Sequence, residues 1–250
     1  MWLVLCESTD APARWAREGL RSRGLEPVEL VTSDDLAHAR WVHRVGEEGA
    51  RVEVALRDGR TFRSDSVRGT LNRLVYPPRG DLLLIHPSDR SYVVQELMAF
   101  FMSWLCALPG PLLNPPSPEC LCGRARPLAE WLWLAARAGL SGPPCRVSSD
   151  ELPAAPSLNV RVPGSGPDLR TLIVVGERVV GTPAPPAIGD ACRRLAALAH
   201  TPLLGLEFST GPGESWQLVG AGGLPDLRRG GEALLDALAA SLSDGRGAGA

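Results

Sequence analysis

The N-terminal segment carries the strongest constraint on the fold. The apolar string WLVLC at Trp2–Cys6 is followed by a helix-compatible stretch, Ala11–Arg23, which ends at Gly24. The apolar-alternating string PVELV at Pro27–Val31 comes next. Glycine favours the end of a helix, and short apolar runs on either side of that helix favour strands. The order strand, helix, strand therefore predicts the beginning of an α/β domain.

The following segments extend this prediction. Apolar and polar residues alternate on both sides of Asp58-Gly59, a dipeptide that accommodates the positive φ angles of a tight turn, so we expect a β-hairpin. Val67–Leu71 reads as a further strand, and the proline-containing string NRLVYPPRG after it reads as a loop. A strongly apolar helix from about Tyr92 to Leu108 is expected to be central and buried.

The second half of the chain contains a change of composition. Residues from Ser141 to Pro167 are rich in proline, glycine and serine, which is typical of a junction between domains. The strings on either side of it predict a helix at Leu128–Ala138, two strands around Gly176-Glu177, a helix at Ile188–His200, the strands LLGLEF and SWQLVG, and a helix at Arg228–Leu242. The predicted organisation is an α/β domain at 1–140, a junction at 141–167, a second subdomain at 168–243 and a disordered tail at 244–250.

Charge and apolar patterning exclude several classes of partner. The net charge of -2 and the pI near 6.1 give no basic field of the kind that attracts nucleic acid. The longest apolar stretch, Leu97–Leu108, is too short to span a bilayer, and Met1–Cys6 lacks the basic flank of a signal peptide. We therefore expect a soluble, cytoplasmic protein that binds neither nucleic acid nor a membrane and keeps its six cysteines reduced.

All 26 positive side chains are arginine, and the sequence contains no lysine. One interpretation is codon bias in a GC-rich genome, consistent with the abundance of alanine, glycine, proline and arginine. The other interpretation is functional, because chemistry that needs a lysine is excluded.

Four strings stand out along the chain: LLNPPSPECLCGRARPLAEW at Leu112–Trp131, GPDLRTLIVVGERVVG at Gly166–Gly181, and the later strings LLGLEF and SWQLVG. Together they resemble the ATP-grasp superfamily, in the branch of ribosomal-protein glutamate ligase and related peptide maturases. The resemblance covers most of the chain. It implies an α/β fold with a Rossmann-like N-terminal subdomain followed by a truncated ATP-grasp-like α+β C-terminal subdomain.

The resemblance also implies where a ligand site would lie. Asp168 and Arg170 match the family's phosphate-contacting pair, although a surface ion pair is an equally open interpretation. Glu207 in LLGLEF stands where the family carries its first acidic metal ligand. The closing Glu-x-Asn ligand pair should fall at Val219–Gly222, which offers no side-chain oxygen. Only Ser148–Pro167 is available for the glycine-rich clamp and its lysines, so most of the clamp is expected to be deleted.

Two further groups of residues are candidates from position alone. Asn72 and Arg73 end a predicted parallel strand, where open α/β sheets place their ligands. They either line a groove or satisfy backbone groups of the loop; the groove candidates are Asn72, Arg73, Tyr76 and Arg90, with Arg79 and Asp89 nearby. Cys120 and Cys122 suggest either metal or redox chemistry, or buried loop thiols without such a role.

Three functions fit these observations. The first is a pseudoenzyme that retains the ligase scaffold to bind a peptide or partner protein in a modification pathway, with no cofactor. The second is a structural subunit of a larger complex. The third is an active carboxylate-amine ligase that uses ATP and magnesium, with arginines such as Arg170 in place of lysines and with Glu207 and Asp168 holding the metal.

Overall fold

A computed structural model describes residues 1–47, 49–78, 80, 84–145, 159–162, 169–210 and 215–244. The chain divides into two compact units, one formed by Met1–Gly123 with Ala239–Ala250 and the other by Arg124–Leu238. Within the described ranges, no helix combines the length and the apolar character needed to cross a membrane.

The first unit contains a parallel sheet and a separate antiparallel sheet. In chain order its elements are β1 (Trp2–Cys6), α1 (Ala11–Arg21), β2 (Val28–Thr32), α2 (Ser33–Ala37), β3 (Arg40–Gly46), β4 (Gly49–Ala55), β5 (Thr61–Arg63), β6 (Gly69–Asn72), α3 (Arg90–Cys106) and β7 (Leu112–Leu113). The parallel sheet has the order β2-β1-β6-β7, and the antiparallel sheet has the order β3-β4-β5.

The predicted strand-helix-strand unit is present at the N-terminus. Helix α1 begins because the Asp10 side chain accepts a hydrogen bond from the backbone N–H of Ala13 at 2.9 Å, which satisfies a free donor of the first turn. The chain turns after the helix at Gly24, whose φ of 81° suits a residue without a Cβ. Strands β1 and β2 then pair in parallel from Trp2↔Val28 to Cys6↔Thr32.

The antiparallel sheet packs against helix α3. The hairpin at Asp58-Gly59 joins β4 to β5, with Ala55 opposite Thr61. The sequence pattern did not predict β3, because its string RWVHRVG lacks a strict apolar and polar alternation. Val52, Val54 and Phe62 of this sheet form a buried core with Phe101 and Trp104 of α3.

Helix α3 is exposed along much of its length, so the expectation of a buried central helix was wrong. Only Phe101, Trp104 and Leu105 are buried, whereas Tyr92 near the start of the helix is exposed. The helix therefore contributes one end and one side to the core. The apolar composition of the helix did not indicate that only one of its sides would be buried.

The second unit is an antiparallel sheet covered by helices. Its elements are α4 (Leu128–Ala138), β8 (Asn159–Arg161), β9 (Arg170–Val175), β10 (Arg178–Gly181), α5 (Pro186–Leu198), β11 (Leu203–Thr210), β12 (Trp216–Gly222), a 3₁₀ turn (Leu227–Gly230) and α6 (Gly231–Ser243), the last of which continues into the C-terminal part of the first unit. The strand order is β10-β9-β11-β12-β8, and all neighbours are antiparallel. A parallel-sheet unit joined to an α+β unit confirms the predicted α/β fold class.

The division between the units falls after Gly123, earlier than the predicted domain end at 140. Helix α4 belongs to the second unit because Trp131 shares a buried core with Leu195 and Phe208. The Arg126 guanidinium reinforces this placement by donating to the carbonyl oxygen of Ala199 at 2.7 Å. Most of the predicted junction and all but the first residue of the predicted tail lie outside the described residues.

The cysteines provide a test of this packing. Burial raises the pKa of Cys6 in β1 and of Cys192 in α5 to about 12, whereas Cys106 and Cys145 are exposed. Because the thiolate is the reactive species, we expect maleimide at mildly alkaline pH to label Cys106 and Cys145 and to spare Cys6 and Cys192 until the protein is unfolded. Peptide mapping by mass spectrometry measures this, and labelling of Cys6 at the rate of Cys106 would contradict the fold.

Candidate functional site

A cavity of ≈ 430 Å³ lies against one face of the second unit's sheet. Its walls include side chains from β8, β9 and β11, small residues of β12, and the segment before and within the 3₁₀ turn. The lining residues used below are Arg161, Thr171, Gly205, Glu207, Pro225, Asp226 and Arg229.

The strand register explains which side chains meet here. Glu207 of β11 pairs with Thr171 of β9 on one side and with Gly220 of β12 on the other, and Gly220 pairs with Arg161 of β8. Directly paired residues of neighbouring strands project from the same face of a sheet. Thr171, Glu207, Gly220 and Arg161 thus form one row across four strands. Since Gly220 has no side chain, the Arg161 guanidinium can pass over it to Glu207.

Glu207 is held by this arginine. Arg161 donates from Nε to Oε2 and from Nη2 to Oε1 of Glu207, each at 2.6 Å, which is the bidentate geometry of a guanidinium on a carboxylate. The hydrogen bonds to Glu207 raise the pKa of Arg161. Arg229 lies 3.9 Å from the same carboxylate and donates to Thr171 Oγ1 at 2.9 Å. Two guanidinium groups therefore flank the single carboxylate of the row.

The other carboxylate of the cavity is also paired with an arginine. Asp226 accepts from Arg228 Nε at 2.8 Å and from Arg228 Nη2 at 2.7 Å, and these hydrogen bonds lower the pKa of Asp226. Asp226 also accepts from the backbone N–H of Arg228 at the start of the 3₁₀ turn. This carboxylate orders the turn that carries Arg229.

A close approach of two backbone segments shapes the cavity. A Cβ atom added at Gly205 would lie 2.7 Å from the Cβ of Pro225, a distance that real side chains do not adopt. Glycine at this position allows the segment around Pro225 to lie directly against β11. The residue type at 205 thus determines how near the 3₁₀ turn and Arg229 come to Glu207.

Among the described residues that line the cavity, the donor set does not fit a magnesium ion. Magnesium takes hard oxygen ligands, usually carboxylates that have no competing cation. Here both oxygens of Glu207 accept from Arg161, and the neighbouring β12 positions Ala221 and Gly222 supply no side-chain oxygen. Within the described ranges, no three His, Cys, Asp or Glu side chains group closely enough to hold a metal.

Arg170, the described member of the predicted phosphate-contacting pair, does not lie on the same face of the sheet as Glu207. Arg170 is paired with Phe208, so its side chain projects from the face opposite to Thr171 and Glu207. Its guanidinium carbon lies 5.3 Å from the centre of the Trp216 ring, a cation–π arrangement. The grouping of Arg170 with Glu207 at one ligand site was therefore wrong, because Arg170 is one position away from Thr171, the residue that pairs with Glu207. Asp168 lies outside the described residues.

The predicted groove residues Asn72 and Arg73 are buried. The Asn72 amide donates to the carbonyl oxygens of Asn114 at 3.0 Å and of Leu121 at 2.6 Å, and it presents no surface to a ligand. Arg73 donates to Asp10 at 2.7 Å and 3.3 Å, with the two side chains only 5% and 12% exposed. Both residues satisfy groups of the fold, so they do not line a groove in this structure.

The remaining groove candidates differ in exposure. Tyr76 is exposed, whereas Arg90, the first residue of α3, is half-buried and donates from Nε to the carbonyl oxygen of Ile85 at 3.1 Å. Arg79 lies outside the described residues. A binding role for Tyr76 and Arg90 stays a prediction.

Cys120 and Cys122 are buried loop thiols. Their sulfur atoms are 3.8 Å apart, and the backbone N–H of Cys122 donates to Cys120 Sγ at 3.4 Å. The hydrogen bond between the thiols lowers the pKa of Cys120 and raises that of Cys122. These contacts order the loop that contains Leu121, whose carbonyl oxygen accepts the hydrogen bond from the Asn72 amide.

Sequence reasoning missed Arg161, Asp226 and Arg229. No local motif marks them, and Arg161 reaches Glu207 only because β8 pairs next to β12. The one available signal was the glycine at 220, which stands where an acidic or amide side chain was expected.

Comparison with solved structures identifies the fold of the chain. The chain is similar to macrocyclase MdnC bound with precursor peptide MdnA from Microcystis aeruginosa MRC, with 12% identity, a TM-score of 0.68, and 96% of this chain and 98% of that chain covered. It is similar to a Chryseobacterium gregarium RiPP-associated ATP-grasp ligase in complex with ADP and a leader and core peptide, with 10% identity, a TM-score of 0.63, and coverage of 97% and 95%. It is also similar to ATP-grasp ligase PsnB complexed with minimal precursor, Mg and ADP, with 16% identity, a TM-score of 0.64, and coverage of 96% and 98%.

No protein-family model and no curated protein matches the sequence. At these identities the structural likeness shows the fold alone, and that fold is the one of the ATP-grasp ligases. This confirms the resemblance carried by the sequence strings. Deletion of the clamp and loss of ligase chemistry stay predictions.

The buried pair of Arg73 and Asp10 leads to a stability prediction. Arg73→Met leaves the carboxylate of Asp10 buried without its partner, so we expect the free energy of unfolding to fall by about 3–5 kcal/mol. Adding Asp10→Asn removes the charge but keeps an oxygen for the cap of α1, and should restore part of the loss. Urea unfolding measures both variants against Arg57→Met, an exposed control; a loss no larger than that of the control would refute the role of the pair.

The contact between Gly205 and Pro225 leads to a second prediction. Gly205→Ala should lower the free energy of unfolding by roughly 1–3 kcal/mol, because the new methyl group overlaps Pro225. Gly189→Ala in helix α5 is the matched control, since a Cβ there meets no atom within 4 Å, and it should stabilise by about 0.5–1 kcal/mol. Thermal unfolding of both variants checks the opposite signs, and equal effects would argue against the close approach.

Proposed function

We propose that this chain is a pseudoenzyme with the ATP-grasp fold, which binds a peptide or partner protein in a peptide-modification pathway and does not ligate. The observation that carries the proposal is the bidentate contact of Arg161 with Glu207 at 2.6 Å. Glu207, which the family resemblance implies is the first acidic metal ligand, has here a cation supplied by the chain itself.

The loss of one side chain supports the same conclusion. Gly220 stands between Glu207 and Arg161 in the row across the sheet, in the region where the family resemblance implies a closing Glu-x-Asn ligand pair. A side chain at that position would stand in the path of the guanidinium. The glycine at 220 thus both lacks the expected metal ligand and leaves room for Arg161 to reach Glu207. The result is a neutral ion pair of Arg161 and Glu207 at the position where a magnesium ion would be held.

The absence of lysine supports the proposal independently of the cavity. A lysine ammonium is a compact and mobile point charge for phosphate oxygens, whereas an arginine guanidinium is a rigid planar fork. The sequence contains no lysine. Arg161 and Arg228, the bidentate arginines of this site, already engage carboxylates of the chain.

The peptide partner is proposed from the structural relatives. MdnC was solved with its precursor peptide MdnA, and the Chryseobacterium gregarium ligase was solved with a leader and core peptide. A chain that keeps this fold while losing the metal ligands retains a scaffold on which a peptide can bind. Because all six cysteines are free, we place this function in the reducing cytoplasm.

An active ligase is the second candidate, because Arg161 and Arg229 bring positive charge to the cavity. It requires Arg161 to release Glu207 when the metal nucleotide binds.

The structural-subunit candidate has less support. Of the two α4 tryptophans, Trp131 is buried, and Trp133, although 57% exposed, lies under the guanidinium of Arg137 at 4.8 Å.

Calorimetric titration with ATP and magnesium, with a thermal-shift scan alongside, tests the proposal. We expect no saturable heat and no rise in melting temperature, whereas ligand at one hundred times its Kd would stabilise a binding protein by about 2.7 kcal/mol. Glu207→Gln should behave like the wild type and like Glu177→Gln, a control in the exposed turn between β9 and β10. Saturable binding that Glu207→Gln abolishes and Glu177→Gln retains would establish the ligase candidate instead.

A further inference from the structure

The solvent side of the antiparallel sheet in the first unit is rich in arginine. Strand alternation buries Val52 and Val54 against α3, so residues at the alternate positions of β3 and β4 project outward. We name this surface the basic sheet face and define it by Arg40, Val42, Arg44, Arg51 and Glu53.

The charges of the basic sheet face are not balanced. Arg44 and Arg51 stand directly opposite each other in the register, an arrangement of like charges that destabilises a sheet. Glu53, the one acid of the face, lies 3.6 Å from Arg44. Among the described residues, Arg40 has no ion-pair partner. By formal charge the face carries three arginines against one glutamate, although the whole chain has a net charge of -2.

Strand β3 is also an edge of its sheet. It spans Arg40–Gly46 and stands at the end of the order β3-β4-β5, so no described strand pairs with its outer side. Val42 and Val45 are 43% and 74% exposed on it. On the inward side, Trp41 and His43 are only half-buried against Phe100, with ring centres 5.1 Å and 5.4 Å apart. A long edge with exposed apolar groups is a template for another strand.

We propose that the outer edge of β3 binds an acidic peptide segment, which adds to the sheet as an extended strand. Backbone hydrogen bonds to the edge would supply affinity, as in other cases of strand addition. Acidic side chains at alternate positions of the segment lie beside Arg40 and Arg44, and apolar side chains at the positions between them cover Trp41 and Val45. The preferred ligand therefore alternates acidic and apolar residues.

The same geometry disfavours two other occupants. If a second copy of this chain paired its β3 antiparallel about Val42, Arg40 of each copy would stand opposite Arg44 of the other, with like-charge repulsion on both sides. A nucleic acid would use the arginines but not the backbone edge or the exposed valines. The inference concerns a surface separate from the Glu207 cavity, so it stands whether or not that cavity binds nucleotide.

Fluorescence anisotropy of the full chain with a short labelled peptide that alternates glutamate and valine tests this inference. We expect saturable, salt-sensitive binding, and binding about tenfold weaker in Arg40→Glu/Arg44→Glu. Arg178→Glu, an exposed arginine in the second unit, is the matched control and should bind like the wild type. Circular dichroism establishes that each variant is folded.

Three probes separate the mechanisms. A lysine-valine peptide should not bind, and a glutamate-valine peptide with alternate N-methyl groups should bind weakly, because it keeps its charges but loses the strand's hydrogen bonds. Absence of saturable binding to the glutamate-valine peptide, or equal binding by its N-methylated form, overturns the proposal. Tighter binding of single-stranded oligothymidylate than of the peptide assigns the face to nucleic acid, and self-association that depends on Arg40 and Arg44 assigns it to a second copy; either result overturns it.

Discussion

The buried ion pair of Asp10 and Arg73 is the interaction on which the first unit depends. Asp10 caps helix α1, and Arg73 directly follows β6, while the backbone N–H of Arg73 donates to Leu5 in β1 at 2.8 Å. This contact therefore adds a polar link between the crossover helix and the central strands of the parallel sheet, beside the packing of the buried α1 residues Ala13, Ala16 and Leu20. The carboxyl end of that sheet is where α/β proteins place ligands, and here the same location is used to hold the scaffold together.

In the second unit, neighbouring strands are linked by polar contacts within a row of residues that runs across the sheet. Thr171, Glu207, Gly220 and Arg161 share one face because antiparallel pairing places them opposite one another. The fold is that of the ATP-grasp ligases. Within it, the charged and polar side chains of this row bond to one another across the sheet.

Local signals in the sequence predicted the elements that local chemistry determines. The β-α-β unit and the hairpin at Asp58-Gly59 follow from glycine, capping and apolar spacing. The sequence did not predict strand β3 or the exposure of α3, because both depend on how two elements cover each other. The contact of Arg161 with Glu207 and the separation of Arg170 from it are consequences of strand register, which residue types alone do not specify.

The ion pair at Glu207 differs from a metal site in one further respect. A bound magnesium ion exchanges with solvent, and its occupancy follows the concentration of the free ion and of nucleotide. A guanidinium is covalently part of the chain and stays protonated at any physiological pH. The positive charge that Arg161 places beside Glu207 is therefore supplied by the chain itself and does not depend on the concentration of any ion.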